Sequence, residues 1–204
     1  MQQVASPNKL TRSQQERRRR VIDAALALGR EGGYEAVQMR DVAAGANVAM
    51  GTVYRYFSSK DHLLSAGLLQ WVEMLDERLS EEPAVGSTPA QRVVEVLNRS
   101  MRVMERQPKL AAALLTALTS SDPAAVECQH EVAELMESII TRAVGDPHPD
   151  EMPARARVLG HVWHSCLIGW VNGWPVERVD SELAVAAGLL LALGEHVPAR
   201  QALC

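Results

Sequence analysis

Residues 38–64, QMRDVAAGANVAMGTVYRYFSSKDHLL, constrain the fold more than any other part of the chain. Met39, Val42, Ala43 and Ala46 recur at the spacing that stacks apolar side chains on one face of a short helix, predicted over 39–46. Gly45, Asn47 and Val48 then read as a tight turn, because Asn tolerates the left-handed conformation that stops a helix. A second short helix is expected over 49–56, tied to the first by Val53 and Phe57, four residues apart. Two short helices across a turn of about 3–4 residues make a helix-turn-helix, whose second member enters the major groove of DNA.

That second helix has an unusual outward surface: Ala49, Met50, Gly51, Thr52, Tyr54, Arg55 and Tyr56. Gly51 disfavours a helix by about 1 kcal/mol relative to Ala, so it suits a place where backbone must closely approach a phosphate or a base edge. Lys60, just before the next helix, offers a phosphate a point charge. The plain alternative is a helical hairpin with a solvated outer face.

Charge is divided to match. The chain carries a net charge of −4. Residues 1–60 nevertheless hold ten Lys and Arg against five acids, net +5, and the remainder is −9. A basic head on an acidic body orients a molecule toward a polyanion. Arg17–Arg20 is the densest basic cluster. It reads equally as an arm laid on the DNA backbone or in the minor groove and as a solvated tail.

The run RRRRVIDAALALGREGGYEAVQMRDVAAGANVAMGTVYRYFSSKDHLL resembles the N-terminal domain of TetR-family transcriptional repressors. The resemblance lies in a first helix ending Gly-Gly-Tyr, in the D-V-A-x-x-A-x-V pattern, and in G-T-V-Y-R-Y-F-x-S-K-x-x-L-L. It implies that Gln38, Arg40 and Lys60, with residues 49–52 and 54–56, face DNA. The chain departs from the pattern at Gln38, where many members place a Thr that caps the second helix. Within the family, GGYEAVQMR, VAMGTVYRYF, the RxxxRxP of 102–108 and the VW…W of 162–170 resemble the actinobacterial repressors of cholesterol and steroid catabolism.

The rest of the chain reads as helix almost throughout. Helices are expected from Asp61 to about Ser80, then over 90–105, 109–119, 123–144, 153–171 and 181–193, with a Pro/Gly/Ser linker at 82–89. Strand alternation never persists. The fold class is therefore all-α: a polar, disordered arm (1–16), a three-helix head (17–62), and a helical bundle (63–204) for ligand binding and dimerisation. No apolar run is long enough for a membrane span, and residues 1–16 lack the apolar core of a secretory signal. The odd, unmotivated set Cys128, Cys166 and Cys204 suggests a reducing interior. A bacterial cytoplasmic protein working at the nucleoid is expected.

Trp163, Leu167, Trp170 and Trp174 form one helical stripe, which serves core packing, a wall for a large apolar ligand, or a dimer seam. Cys166, Gly169 and Gly173 on the neighbouring face would let a second helix approach. The TetR resemblance places a four-helix dimer interface at 155–174 and 181–193, hence a homodimer on double-stranded DNA. Candidate ligand-binding residues are Met101, Met104, Leu114, Leu115, Leu118, Leu135, Met136, Ile139, Trp163, Leu167 and Trp170, a lining that suits a bulky hydrophobic effector. Arg99, Arg102, Arg106 and Lys109 make a basic stripe, read either as a solvated face or, with Arg102 among the ligand residues, as a grip for coenzyme A phosphates. His161-x-x-His164 with Cys166, Cys128 and His130 is too sparse for a metal site. No nucleophile–base pair, phosphate loop or paired carboxylates appear, so no enzyme, cofactor or metal is expected. The rival reading is a helical lipid carrier or adaptor that never touches DNA, which leaves residues 51–60 and the +5 head unexplained.

Overall fold

A computed structural model describes residues 10–145 and 150–192. Residues 1–9 of the expected arm, the Leu193 end of the last expected helix and Cys204 lie outside them. Among the described residues every regular element is an α-helix: α1 Arg12–Ala36, α2 Met39–Gly45, α3 Met50–Tyr56, α4 Lys60–Glu81, α5 Pro89–Glu105, α6 Pro108–Ala117, α7 Pro123–Val144, α8 Met152–Val171 and α9 Val176–Leu191.

Local chemistry sets most of these boundaries. Thr11 caps α1 and Thr88 caps α5 in reciprocal boxes with Gln14 and Gln91, while Ser59 caps α4 and Asp122 caps α7. Each satisfies amide groups that a helix start leaves orphaned. Pro89, Pro108, Pro123 and Pro153 stand in first turns, where a missing N–H costs nothing.

Two expectations change. α1 begins at Arg12, so part of the supposed arm is helix, and Arg17–Arg20 lie within that helix rather than in an arm or a tail. α9 begins at Val176, five residues before the expected Ser181, because Pro175 supplies an extended cap that the apolar pattern does not signal. α4 runs unbroken from head to body, as expected, from Lys60 to Glu81.

Two buried clusters form the core. The first joins α1–α4 to parts of α6 and α7 through Val21, Ile22, Val42, Val53, Phe57 and Leu64. The second joins α5 to α9 through Leu97, Leu115, Ile140, Leu159 and Leu183. Trp71, Leu118, Met136 and Ala143 pack against both. The head rests on α6 because Gly29 of α1 has no side chain. A Cβ there would lie 2.7 Å from Leu110 Cδ1.

Candidate nucleic-acid interface and effector cavity

The α2–α3 pair is built on five buried side chains. Val42, Ala43 and Ala46 from α2 and its cap meet Val53 and Phe57 from α3 and its cap, all 4% exposed or less. Asn47 turns the chain with φ 51°, and the Val48 amide donates to Ala43 O at 3.0 Å. α3 therefore leaves the turn at a fixed angle. Ala49, its cap, Met50, Gly51, Tyr54 and Arg55 are exposed and Thr52 is half-buried. A Cβ built on Gly51 meets no atom within 4 Å, so nothing inside the protein requires glycine there.

Tyr56 is the exception to the expected outward set. It is 1% exposed, and the Arg55 guanidinium lies 5.0 Å from its ring and donates to its hydroxyl at 3.0 Å. Position 56 follows Val53 by three, which turns it inward with the anchors. Tyr56 is a packing residue and leaves the DNA-facing set.

The flanks are equally defined. Gln38 makes no side-chain cap on α2; its amide donates backward to Glu35 O at 2.8 Å. The usual capping Thr is missing, and its cap is missing too. Arg40 is exposed beside Asp41. Lys60 Nζ sits 3.6 Å from the centroid of the Tyr34 ring and donates to Tyr34 O at 3.2 Å, while the Tyr34 hydroxyl donates to Asp61. Burial and that carboxylate push the Tyr34 phenol up to about 12, so it stays a donor. The Lys60 ammonium is thereby held between the start of α4 and the end of α1.

The sequence offered no sign of the joint between this head and the body. Ser58, immediately after α3, donates through Oγ to Asp122 at 2.9 Å, and its amide donates to His62 Nδ1 at 3.2 Å. The Arg18 guanidinium lies 5.1 Å above the Phe57 ring, and His62 packs edge-on against the same ring. Burial, outweighing the Asp122 charge, drives His62 down to about 4, so it is neutral near pH 7. Further back, Arg30 donates to Gln107 at 2.6 Å and Lys109 to Glu31 O at 3.0 Å.

A cavity of about 250 Å³ opens where the two cores meet. Of the expected ligand residues, Met104, Leu115, Leu118, Met136, Trp163 and Leu167 line it. Met101, Leu114 and Ile139 do not: each is at most 1% exposed and fills the solid core. Leu135 and Trp170 are half-buried outside the lining. Sequence reasoning missed Leu68 and Val72 of α4, Ser100, Gln129, and the face of α8 that carries Ala156, Gly160 and His164. That last set had a signal, since 156, 160, 163 and 167 recur at helical spacing with two small residues among them. His161 and His164 also line the cavity, and burial, then His161, lowers the pKa of His164.

Adjoining it through Leu68, Val72, Ser100 and Met104 is a cleft of about 650 Å³. Arg30, Arg78, Arg99, Arg102 and Arg106 line it, with Glu82 and Glu95. Arg102 thus belongs to this cleft rather than to the apolar cavity. The expected four-residue stripe is broken by Pro108, which starts a new helix and sends Lys109 to the head. Arg99 is engaged by Glu95 at 2.7 Å, and Arg102 stands 3.7 Å from the same carboxylate.

The Trp stripe also divides. Trp163 and Leu167 face the cavity, whereas Trp174 lies beyond the end of α8 and folds back over Gly169, where a Cβ would stand 2.5 Å from its ring. Gly169 admits an indole of its own chain, not a second helix. The exposed apolar side chains of this region are Val158, Val171, Val185 and Leu189, with Leu189 79% exposed. Among the described residues no cluster of three or more His, Cys, Asp or Glu gathers to hold a metal, and no helix is long and apolar enough to cross a membrane.

Residues 21–66 match the family model described as bacterial regulatory proteins, tetR family, and residues 86–190 that described as tetracyclin repressor-like, C-terminal domain. The chain is 41% identical over 188 residues to the HTH-type transcriptional repressor KstR of Rhodococcus jostii, covering 91% of this chain and 88% of that one. It is 42% identical over 186 residues to KstR of Mycolicibacterium smegmatis, covering 90% and 91%. A TetR transcriptional regulator from Rhodococcus sp. RHA1 superposes with a TM-score of 0.81 at 31% identity, covering 89% of this chain and 98% of that one. The same fold, at 23% identity, TM-score 0.70 and coverage of 89% and 98%, occurs in Thermus thermophilus FadR in complex with lauroyl-CoA.

Proposed function

The chain belongs to the TetR family of transcriptional regulators and is a ligand-responsive DNA-binding repressor, and from that premise we propose how it works: as a homodimer on a pseudo-palindromic operator, released by an acyl-coenzyme A thioester with a hydrophobic acyl part. The observation that carries the effector class is that an apolar cavity and an arginine-lined cleft lie side by side, with Leu68, Val72, Ser100 and Met104 as their common wall. An acyl chain loses water in the first, and the phosphates and adenosine of coenzyme A meet guanidinium groups in the second. Thermus thermophilus FadR, the same fold, is the protein seen with lauroyl-CoA. At about 250 Å³ the cavity is below the roughly 300–1,000 Å³ usual for ligand sites. A steroid-sized acyl part therefore enters only as α4, α7 and α8 move apart.

Such movement has a route to the DNA head. Gln129 lines the cavity, and its amide donates to Ala117 O and Ser120 O at 3.3 and 3.2 Å. Ser120 Oγ accepts from the Asp122 amide, and Asp122 accepts from Ser58 at the end of α3. Separation of the helices also bends α4, whose Leu68 and Val72 are cavity wall and whose first residue is Lys60. An effector that favours one head geometry by about 1–3 kcal/mol shifts DNA affinity by about 5- to 150-fold.

The dimer reading rests on Val185 and Leu189, one turn apart and 58% and 79% exposed on α9, with Val158 and Val171 exposed on α8. Two copies joined there present two α3 helices, which read half-sites about one helical turn, 34–36 Å, or a multiple of it apart. The protein acts in the cytoplasm, where the operator is, and performs no chemistry on its effector. Fluorescence anisotropy on a duplex from the gene's own upstream region tests the effector class. Micromolar steroid-acyl-CoA or lauroyl-CoA is expected to release the DNA while coenzyme A alone does not. Retention of DNA with every acyl-CoA would remove the effector reading and leave the repressor.

A further inference from the structure

Four residues line both the apolar cavity and the basic cleft, and three of them, Leu68, Val72 and Met104, are apolar. The fourth is Ser100, in the middle of α5. Its Oγ is shielded from solvent and has no hydrogen-bond partner. A helical serine ordinarily relieves this by bonding the carbonyl four residues back, but Ser100 does not. An unsatisfied buried hydroxyl is costly, and its position on the wall that the two cavities share points to a partner that is not part of the protein.

We propose that Ser100 Oγ donates a hydrogen bond to the carbonyl oxygen that joins the hydrophobic body of the effector to its anionic head, so that Ser100 selects acyl compounds over otherwise identical alkyl ones. The inference rests on the effector reading above, since it needs a ligand that spans both cavities. Geometry restricts the chemistry at this point. Ser100 stands between a cavity walled by Trp163 and Leu167 and a cleft lined by Arg99 and Arg102, so a ligand reaching into both would place its junction atoms beside it. A neutral acceptor fits that junction, and a thioester carbonyl is one. A site that buries a donor rejects a ligand lacking the matching acceptor, because the donor is then left unpaired.

Isothermal titration with lauroyl-CoA and its thioether analogue, S-dodecyl-CoA, which has no carbonyl, tests this on the full chain. Wild-type protein is expected to bind the thioester about tenfold more tightly than the thioether, the worth of one buried hydrogen bond. Ser100→Ala is expected to lose that preference by weakening the thioester alone, and Ser100→Thr, which keeps the hydroxyl, to retain most of it. A merely structural role for Ser100 would move both ligands together. Equal wild-type affinity for the two ligands, or an undiminished preference in Ser100→Ala, overturns the proposal while leaving the effector class intact. Failure of wild-type protein to bind either overturns the effector class and this inference with it.

Discussion

Gly51 gives the sharpest separation between what folds this protein and what it reads. Gly51→Ala adds one methyl group in the first turn of α3, at a site where a Cβ meets nothing within 4 Å. Glycine there has an ordinary helical backbone, so alanine fits without strain and removes freedom from the unfolded chain. The expected gain is about 0.4–1 kcal/mol. For a chain of this size that raises Tm by roughly 1–4 °C. On DNA the same methyl occupies the space between α3 and the groove. If the backbone packs there as closely as protein interiors do, overpacking costs about 1–3 kcal/mol for each half-site. Calorimetric unfolding and anisotropy titration on one operator duplex then give opposite answers: a more stable protein that binds DNA about 5- to 150-fold more weakly at each half-site. A more stable variant that binds as tightly as wild type would refute the placement of Gly51 against the duplex. A destabilised one would refute the account of its surroundings.

Lys60→Ala should weaken binding to all sequences alike and lower the slope of log K against log salt by about 1 per copy, because one phosphate contact per head is lost; an unchanged slope would remove Lys60 from the interface. Acid should loosen the head–body joint. His62 is held near 4 against its usual 6.5, so the unfolded chain binds a proton between those values that the folded one does not. Stability is then constant above about pH 6.5 and falls as pH drops toward 4, by up to about 3 kcal/mol. His62→Phe should flatten that limb in denaturant titrations, and persistence of the full fall would assign it to other groups. Leu189→Arg should give monomers by sedimentation and lose operator binding without losing helicity, and a dimer that survives would move the interface off α9.

Much of this molecule is legible in its sequence because its helices announce themselves. Pro at the first turn and apolar residues at helical spacing, with Thr88 before α5 and Asp122 before α7, fix α5 through α8 to within two residues. Gly51, Thr52, Tyr54 and Lys60 stand out because they make poor sense as helix or core, and the structure leaves Gly51 and Tyr54 exposed and Thr52 and Lys60 half-buried. Tyr56 misled because residue type was weighed above position: three residues after Val53, a phenol points inward whatever its polarity. The arginine stripe misled in the same way, since the periodicity ran straight through Pro108. The cavity was only half readable. Its wall of Met104, Leu115, Leu118, Met136, Trp163 and Leu167 follows from apolar content, but Met101, Leu114 and Ile139 have identical character and fill solid core. Which apolar residue faces a void depends on how helices cross, and no local pattern encodes that. The Ser58–Asp122 bond joins residues 64 apart, so nothing near either one predicts it. A lipid carrier that ignores DNA would have had no use for the exposed face of α3, and the kinship with KstR repressors settles that alternative.

Whether α3 reads base edges is measured directly by selecting bound duplexes from a randomised library. Thr52→Ala should relax the preference at one position in each half-site, about 1–3 kcal/mol of lost discrimination, and leave the others unchanged. A variant that binds with the wild-type sequence preference, whether weakened uniformly or not at all, would place Thr52 away from the bases and contradict the account.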